Sequence, residues 1–566
     1  MKKEITANEY PLSKILSSDF EYKIPVYQRP YAWTNEESSK LFEDLYSAFQ
    51  SNAKNAYFLG SIILIKNQRS RIFDVVDGQQ RLTTLTLLIS AIISRFKKEK
   101  YKKDFTPCIK QDANVALQLS EKPRIVVREK NKQIFNKYIL KCKINEIMDA
   151  TVDSKISSNV NLQKNAFYFY NQLAIYFKTD ENLLKFGQYV LNNCYLVTVT
   201  TSSQESASRI FSVMNSRGLD LLPTDILKAE IIDKIEKTEQ NSYTLLWEEW
   251  EQNLSREKFV ELFYHIRMIH SKNKLSFSLL KEFHDAVIKG KAPKGSESAK
   301  NLIDDVIISA AKEFDTIICQ NYTSNNTSLD TKINDYFKWL NQIDVSEWKP
   351  VAIFFMMKHS SDAKYLLWFL QKLERLAAVL FLTAQSANER ISRFADVLKE
   401  IELSKDTISK PLSSIELKDE EKTKMISVIS SNVYSDLISS RRKYLILRLD
   451  SFVSDGSASY DIPIVSIEHV LPQTMNHEWK KDWNEDLHEE WVDKISNLVL
   501  LSRRKNSQAQ NFDFAKKKSK YFYSKGVSAF TLTTQVLDKE KWTPEIVKAR
   551  QKMLLSTLKQ KWELNK

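Results

Sequence analysis

Glycine is scarce in this chain. It occurs 8 times in 566 residues, where average usage would give about 40. So few points of backbone freedom imply a helix-dominated protein with few tight turns. Cysteine is nearly as rare. The four, Cys108, Cys142, Cys194 and Cys319, stand far apart, which excludes a CxxC zinc clip and a dense disulfide framework and fits a reducing cytosol. There is no apolar run of membrane length: the longest, around residues 82–94, is short and interrupted by Thr and Ser. The opening residues MKKEITANEY carry no apolar core, so no secretory signal is expected. No internal repeat and no long low-complexity tract stands out. Acidic residues are outnumbered, 71 against 84 Lys and Arg, for a net charge of +13 and a pI near 9.1. That excess suits a polyanionic partner, and equally a Lys-rich cytosolic protein.

What is present falls into three stretches. From residue 1 to 235, short strands alternate with helices. Residues 22–28, YFLGSIILIK (57–66), RIFDVV (71–76) and YLVTVTTSS (195–203) read as strands, rich in β-branched and aromatic residues. A helix follows Thr34 as N-cap, another spans 79–98 with Leu82, Leu85, Leu88, Ile89 and Ile92 on one face, a third covers 204–218, and a fourth begins near Thr224. Residues 236–445 are helical throughout, broken by KGKAPKGSESA. Residues 446–566 change character, with a Gly/Ser loop, a strand ending in IEH, a Trp-rich loop, a strand NLVLLS and a basic helix. The expected fold is multidomain α+β and helix-dominated, with domains at 1–235, 236–445 and 446–566.

Three segments of the first stretch carry polar side chains suited to an anion. In RIFDVVDGQQR a strand runs into Asp77 and Gly78, then a helix start. Asp77 can cap that helix, Gly78 lets a ligand approach the backbone, and Gln79, Gln80 and Arg81 add donors beside the helix dipole. Alone, this is also a plain capped turn. IPVYQRPYAW (24–33) sets Gln28 and Arg29 among aromatics that can stack a base. RIFSVMNSRGLDLLPTDILK (209–228) brings Arg209, Asn215, Arg217, Asp225 and Lys228 near helix ends. A Walker loop is excluded: GKAPKGSE at 290–297 has the two glycines but no Lys after the second and no strand before the first.

Together the three segments resemble the DGQQR-type, ParB/sulfiredoxin-like domain of modification-dependent (type IV) restriction proteins, as in the GmrSD and SspE systems. The resemblance spans roughly residues 10–235 and rests on Ile24, Pro25, Tyr27, Gln28, Arg29, Tyr31 and Trp33, on Asp77 to Arg81, and on Phe211, Asn215, Arg217, Gly218, Leu222, Asp225 and Lys228. It implies nucleotide binding, often with NTP hydrolysis, coupled to the sensing of modified DNA. Asp77, Gly78, Gln79, Gln80, Arg81, Gln28, Arg29, Asn215 and Arg217 would form the nucleotide site; the base of the nucleotide (GTP, UTP, CTP or ATP) is left open.

The last stretch offers a hydrolytic centre. SIEHVLPQ places Glu468 and His469 at a strand end, and SNLVLLSRRKN supplies Asn497 and Asn506. Phosphodiester hydrolysis needs a base for water, a cation against the developing charge and a group that holds the base. A carboxylate beside a histidine supplies ligand and base together, an asparagine opening the next helix supplies a neutral oxygen ligand, and Asn497 can lock the loop bearing His469. This pattern resembles the ββα-metal (HNH, His-Me finger) nucleases of the subtype fused to DGQQR domains, over roughly residues 445–530, with Ser496 where a glycine usually precedes Asn497. The resemblance implies His469 as base, Asn497 as its support, Glu468 and Asn506 as ligands of Mg²⁺ or Mn²⁺, and Lys516, following Phe514, near the scissile strand. Arg503, Arg504, Lys505, Lys517, Lys518 and Lys520 read as a DNA-backbone clamp beside that centre, or as an ordinary solvated helix face. His477 and His488, in the Trp-rich loop, read as surface or packing residues, His477 being within reach of the metal.

The expected protein is a prokaryotic cytoplasmic anti-phage DNA endonuclease or nickase, acting on double-stranded, modified phage DNA under nucleotide control, with no membrane partner. Oligomeric state is open, a homo-oligomer included. The rival readings are a non-cleaving sensor of DNA modification and a nuclease toxin whose N-terminal domain binds a protein.

Overall fold

The computed structural model describes residues 5–25, 28, 30–66, 72–113, 120–151, 157–202, 206–207, 210, 222–289, 296–404, 411–454, 465–502, 511–519 and 530–565. The chain divides into two compact units, Met1–Trp247 and Glu248–Lys566. The second holds most of the expected helical middle together with the whole 446–566 span. The fold class is multidomain α+β and helix-dominated. Among the described residues no helix is long and apolar enough to cross a membrane.

The first unit is built on a mixed six-stranded sheet. Its main elements are β1 (Ile5–Pro11), β2 (Glu21–Lys23), α1 (Asn35–Asn52), β3 (Tyr57–Lys66), β4 (Ile72–Asp77), α2 (Gln79–Arg95), β5 (Ile125–Val126), α3 (Ser157–Tyr176), α4 (Asp180–Asn192), β6 (Cys194–Thr201) and α5 (Pro223–Asp233). The sheet order is β1-β6-β3-β4-β2-β5. Strand β1 pairs antiparallel with β6, a strand that the polar sequence ITANEYP does not announce. The central strand β3 runs parallel to β6 and antiparallel to β4. Its side chains alternate between faces: Ile62 and Leu64 enter the main core, while Ile63 joins Val76 and Val199 on the other face. Thr34 caps α1, accepting from Glu36 N, with Glu37 completing a capping box.

Helix α2 is buried on nearly every side rather than along one stripe. Its polar residues stay inside because they find partners: Thr84 and Thr86 donate to the carbonyls of Gln80 and Leu82, and Ser90 donates to Ile139 O. This is the central helix of the unit. Of the expected helix over 204–218 only residues 206–207 and 210 are described, and they are helical; Arg209, Phe211, Asn215, Arg217 and Gly218 lie outside the described residues.

In the second unit, helices run from Arg256–Ser271 through α6 (Ala363–Leu382) and α7 (Ser439–Val453). A buried cluster joins the last two: Glu374 Oε1 accepts from Tyr444 Oη at 2.6 Å and from Arg448 Nε at 3.0 Å. The remaining framework is an antiparallel hairpin of β7 (Val465–His469) and β8 (Leu498–Ser502), then the short α8 (Phe514–Lys517) and the C-terminal α9 (Pro544–Lys561).

Candidate active site

The hairpin register sets His469 opposite Leu498 and Glu468 opposite Val499. Between the strands, residues 470–497 fold over a core of Val470, Leu471, Trp479, Trp483 and Trp491. Asn497 is fully buried and uses both ends of its amide. Oδ1 accepts from Leu471 N at 2.8 Å and from Trp542 Nε1 at 3.1 Å; Nδ2 donates to Leu471 O at 2.9 Å and Val492 O at 2.7 Å. It therefore ties the chain just after His469 to the start of β8. Helix α9 holds this turn from behind: Arg550 donates to Ser496 O, and Gln551 Oε1 accepts from Ser496 N at 3.0 Å. Burial pushes Arg550 down to about 10. Ser496 is buried, and its hydroxyl has no partner among the described residues.

His469 is buried, and its Nε2 lies 3.0 Å from Asp493 Oδ1. The sequence reading missed Asp493, which stands 24 residues away on the far side of the Trp-rich loop. Tyr434 meets the imidazole edge-on at 4.2 Å between centroids, donates its N–H to Asp493 O at 3.1 Å, and carries the Arg442 guanidinium 4.1 Å above its ring. Burial pushes His469 below the usual imidazole value, against the pull of Asp493. The imidazole thus has a carboxylate at Nε2 and a burial that favours its neutral form.

Glu468 is also buried, and burial raises its carboxyl while Lys517 opposes the rise. Lys517 corrects the expected DNA clamp. It has 0% of its side chain exposed, and its ammonium donates to Glu468 Oε1 and to His469 O, both at 2.7 Å. The cause is helical geometry: on α8, Lys517 shares the inward face with Phe514, three residues earlier. Lys516, on another face, lies with Nζ 3.4 Å over the Phe512 ring. Lys518 donates to Lys539 O at 2.8 Å. Arg503, Arg504, Lys505, Asn506 and Lys520 lie outside the described residues. His477 is exposed, and His488 Nε2 lies 2.8 Å from Pro472 O, supporting the loop after His469.

Among the described residues no three His, Cys, Asp or Glu side chains converge as a metal cage requires. Glu468, the expected ligand, already has one oxygen against an ammonium. The described donors do not by themselves fit a divalent cation.

The first unit treats its motif residues differently. Gly78, not Asp77, is the N-cap of α2; Asp77 is the last residue of β4. Gly78 has φ +86°, and a Cβ there would lie 2.4 Å from Ile62 Cγ2. The close approach that demands glycine is thus made by the chain's own strand β3. Gln80 is buried and grips the 30–33 turn: Oε1 accepts from Ala32 N at 2.8 Å, and Nε2 donates to Pro30 O at 3.0 Å. Gln28 Nε2 donates to Val76 O at 2.9 Å, and Arg128 donates to Gln28 O at 3.0 Å. Tyr31 Oη is shared by Thr84 and Asn165. Arg81 donates to Ser61 O at 2.8 Å and packs over Gly60, itself at φ +105°. Burial lowers Arg81 while Asp77 opposes. Gln79, Gln80, Arg128 and Asn131 line a cavity of about 10 Å³, room for one water. Arg29 lies outside the described residues. Asp225 accepts from Leu222 N at 3.0 Å, and Lys228 is buried.

Residues 12–232 match the family described as GmrSD restriction endonuclease, N-terminal domain, and residues 417–557 match GmrSD restriction endonucleases, C-terminal domain. The chain belongs to the GmrSD restriction endonucleases. The two GmrSD matches bracket both motif clusters, and the second begins early enough to include Tyr434 and Arg442. No curated protein matches the chain.

Proposed function

We propose that this GmrSD-type nuclease cuts modified double-stranded phage DNA in the prokaryotic cytoplasm, and that its first unit places the cut under nucleotide control. The observation that carries the hydrolytic half is the 3.0 Å pair of His469 and Asp493 at the end of a hairpin locked by Asn497. In this reading Asp493 holds Nε2, so Nδ1 of His469 takes the proton of the attacking water. Asn497 fixes the loop that follows. The net charge of +13 supports a polyanionic substrate. Divalent-cation dependence belongs to the proposal through Glu468 and Asn506; it requires Glu468 to present an oxygen that Lys517 does not hold.

The nucleotide half rests on the DGQQR segment. Gln28 and Gln80 bond to the chain's own backbone, as Arg81 does to Ser61 O, so a nucleotide would meet these residues in place, together with Asp77, Gln79, Arg29, Asn215 and Arg217. The same bonding favours a second reading, in which the segment is a frame and the first unit binds a protein. One experiment separates these: cleavage of matched plain and modified DNA, with and without each NTP and Mg²⁺. The proposal expects cutting only of modified DNA, dependent on one NTP and on the metal. Equal cutting of both DNAs without NTP would leave the nuclease and remove its control.

A further inference from the structure

We propose that Lys517 is a positioning residue of the hydrolytic centre. Its ammonium, wedged between the Glu468 carboxylate and the His469 carbonyl, fixes the end of β7 from which the imidazole reaches Asp493. The inference rests on the reading of His469 as the base.

Three observations carry it. Lys517 has no exposed surface, so it does not reach a DNA backbone as a clamp must. Its two bonds go to consecutive residues, one to a side chain and one to the main chain, which restrains the strand end in both direction and rotation. The segment that delivers it is built as a mount. Asn476 Nδ2 donates to Asn511 O at 2.8 Å, Trp479 Nε1 donates to Phe512 O at 3.0 Å, and Asp513 caps α8 by accepting from Lys516 N at 2.9 Å. Phe514 stacks on Trp542 at 5.8 Å, and Trp542 is the residue whose indole holds Asn497. One tryptophan thus joins the lysine-bearing helix to the asparagine that fixes the loop after the base. A buried ion pair is a weak device for stability, because an apolar pair of the same volume serves as well. Its value here lies in geometry, where a displacement of about 1 Å can slow a reaction roughly 100-fold.

The test is single-turnover cleavage by the full-length protein, on DNA that the wild type cuts, comparing Lys517→Met and Lys517→Arg. The expected result is a cleavage rate lowered about 10- to 100-fold in Lys517→Met, with the KM for DNA and its salt dependence unchanged, and a smaller loss in Lys517→Arg, which keeps a donor for both oxygens. A space-filling role predicts the opposite ranking, since Met copies the lysine's shape and Arg does not. A phosphate clamp predicts a raised KM and a salt slope smaller by about 1. Either outcome overturns the proposal, as does wild-type cleavage by Lys517→Met. If melting shows that Lys517→Met does not fold, Lys517→Gln, which can still donate to one of the two oxygens, takes its place; a wild-type rate in the folded Lys517→Gln then overturns it. His469→Ala is the control. If it cuts normally, the base reading fails; if it is inactive while Lys517→Met cuts normally, only the role of Lys517 fails.

Discussion

In the first unit the buried motif side chains are mostly neutral amides bonded to main chain: Gln28 to Val76, Gln80 to Pro30 and Ala32. In the second unit they are titratable groups bonded to one another: His469 to Asp493, Glu468 to Lys517. Amides that close on backbone carbonyls and N–H groups make a frame, with stable geometry and no charge to move. A histidine on a carboxylate, next to a carboxylate on an ammonium, makes a centre whose groups can exchange protons or bind charge. Two motifs of similar polar content are therefore bonded differently, one to main chain and one among its own titratable side chains.

The comparison can be broken most sharply at Gly78. If its freedom serves the frame, Gly78→Ala costs roughly 3 kcal/mol of stability, from positive φ and from overlap with Ile62. Adding Ile62→Ala removes Cγ2 and leaves the strain and a cavity, so the double variant falls short of the summed losses. Denaturant unfolding measures both, and strictly additive losses would contradict the steric account. Gln80→Ala comes next. It strips the 30–33 turn of its bonds, with about 2 kcal/mol expected; an unchanged unfolding midpoint would mean that the amide is free for a ligand. The smallest effect is at Ser496. Removing its buried hydroxyl, which has no partner among the described residues, in Ser496→Ala is expected to stabilise the protein by up to about 1 kcal/mol, read as a raised melting temperature, with cleavage unaltered.

Local features were legible in the sequence, and long-range partnerships were not. Thr34 with Glu37, the strand YFLGSIILIK and the register that puts Glu468 and His469 at a strand end all follow from propensity and spacing. The strand β1 was hidden because an edge strand with polar residues lacks an apolar pattern. Asp493 and Lys517 stand 24 and 49 residues from their partners, and only the fold brings them in. For Lys517 the signal was misleading as well, since a run of lysines reads as solvated until one of them shares a helix face with a buried Phe. The glycine of DGQQR was rightly singled out, but the neighbour that requires it is Ile62.

The central claim is that the His469–Asp493 pair is the hydrolytic centre. Single-turnover cleavage by His469→Ala, on DNA that the wild type cuts, tests it most directly. The account predicts a loss of about 10²- to 10⁴-fold, with DNA affinity and the unfolding profile of the first unit preserved. Cleavage at the wild-type rate by a folded His469→Ala protein would contradict it.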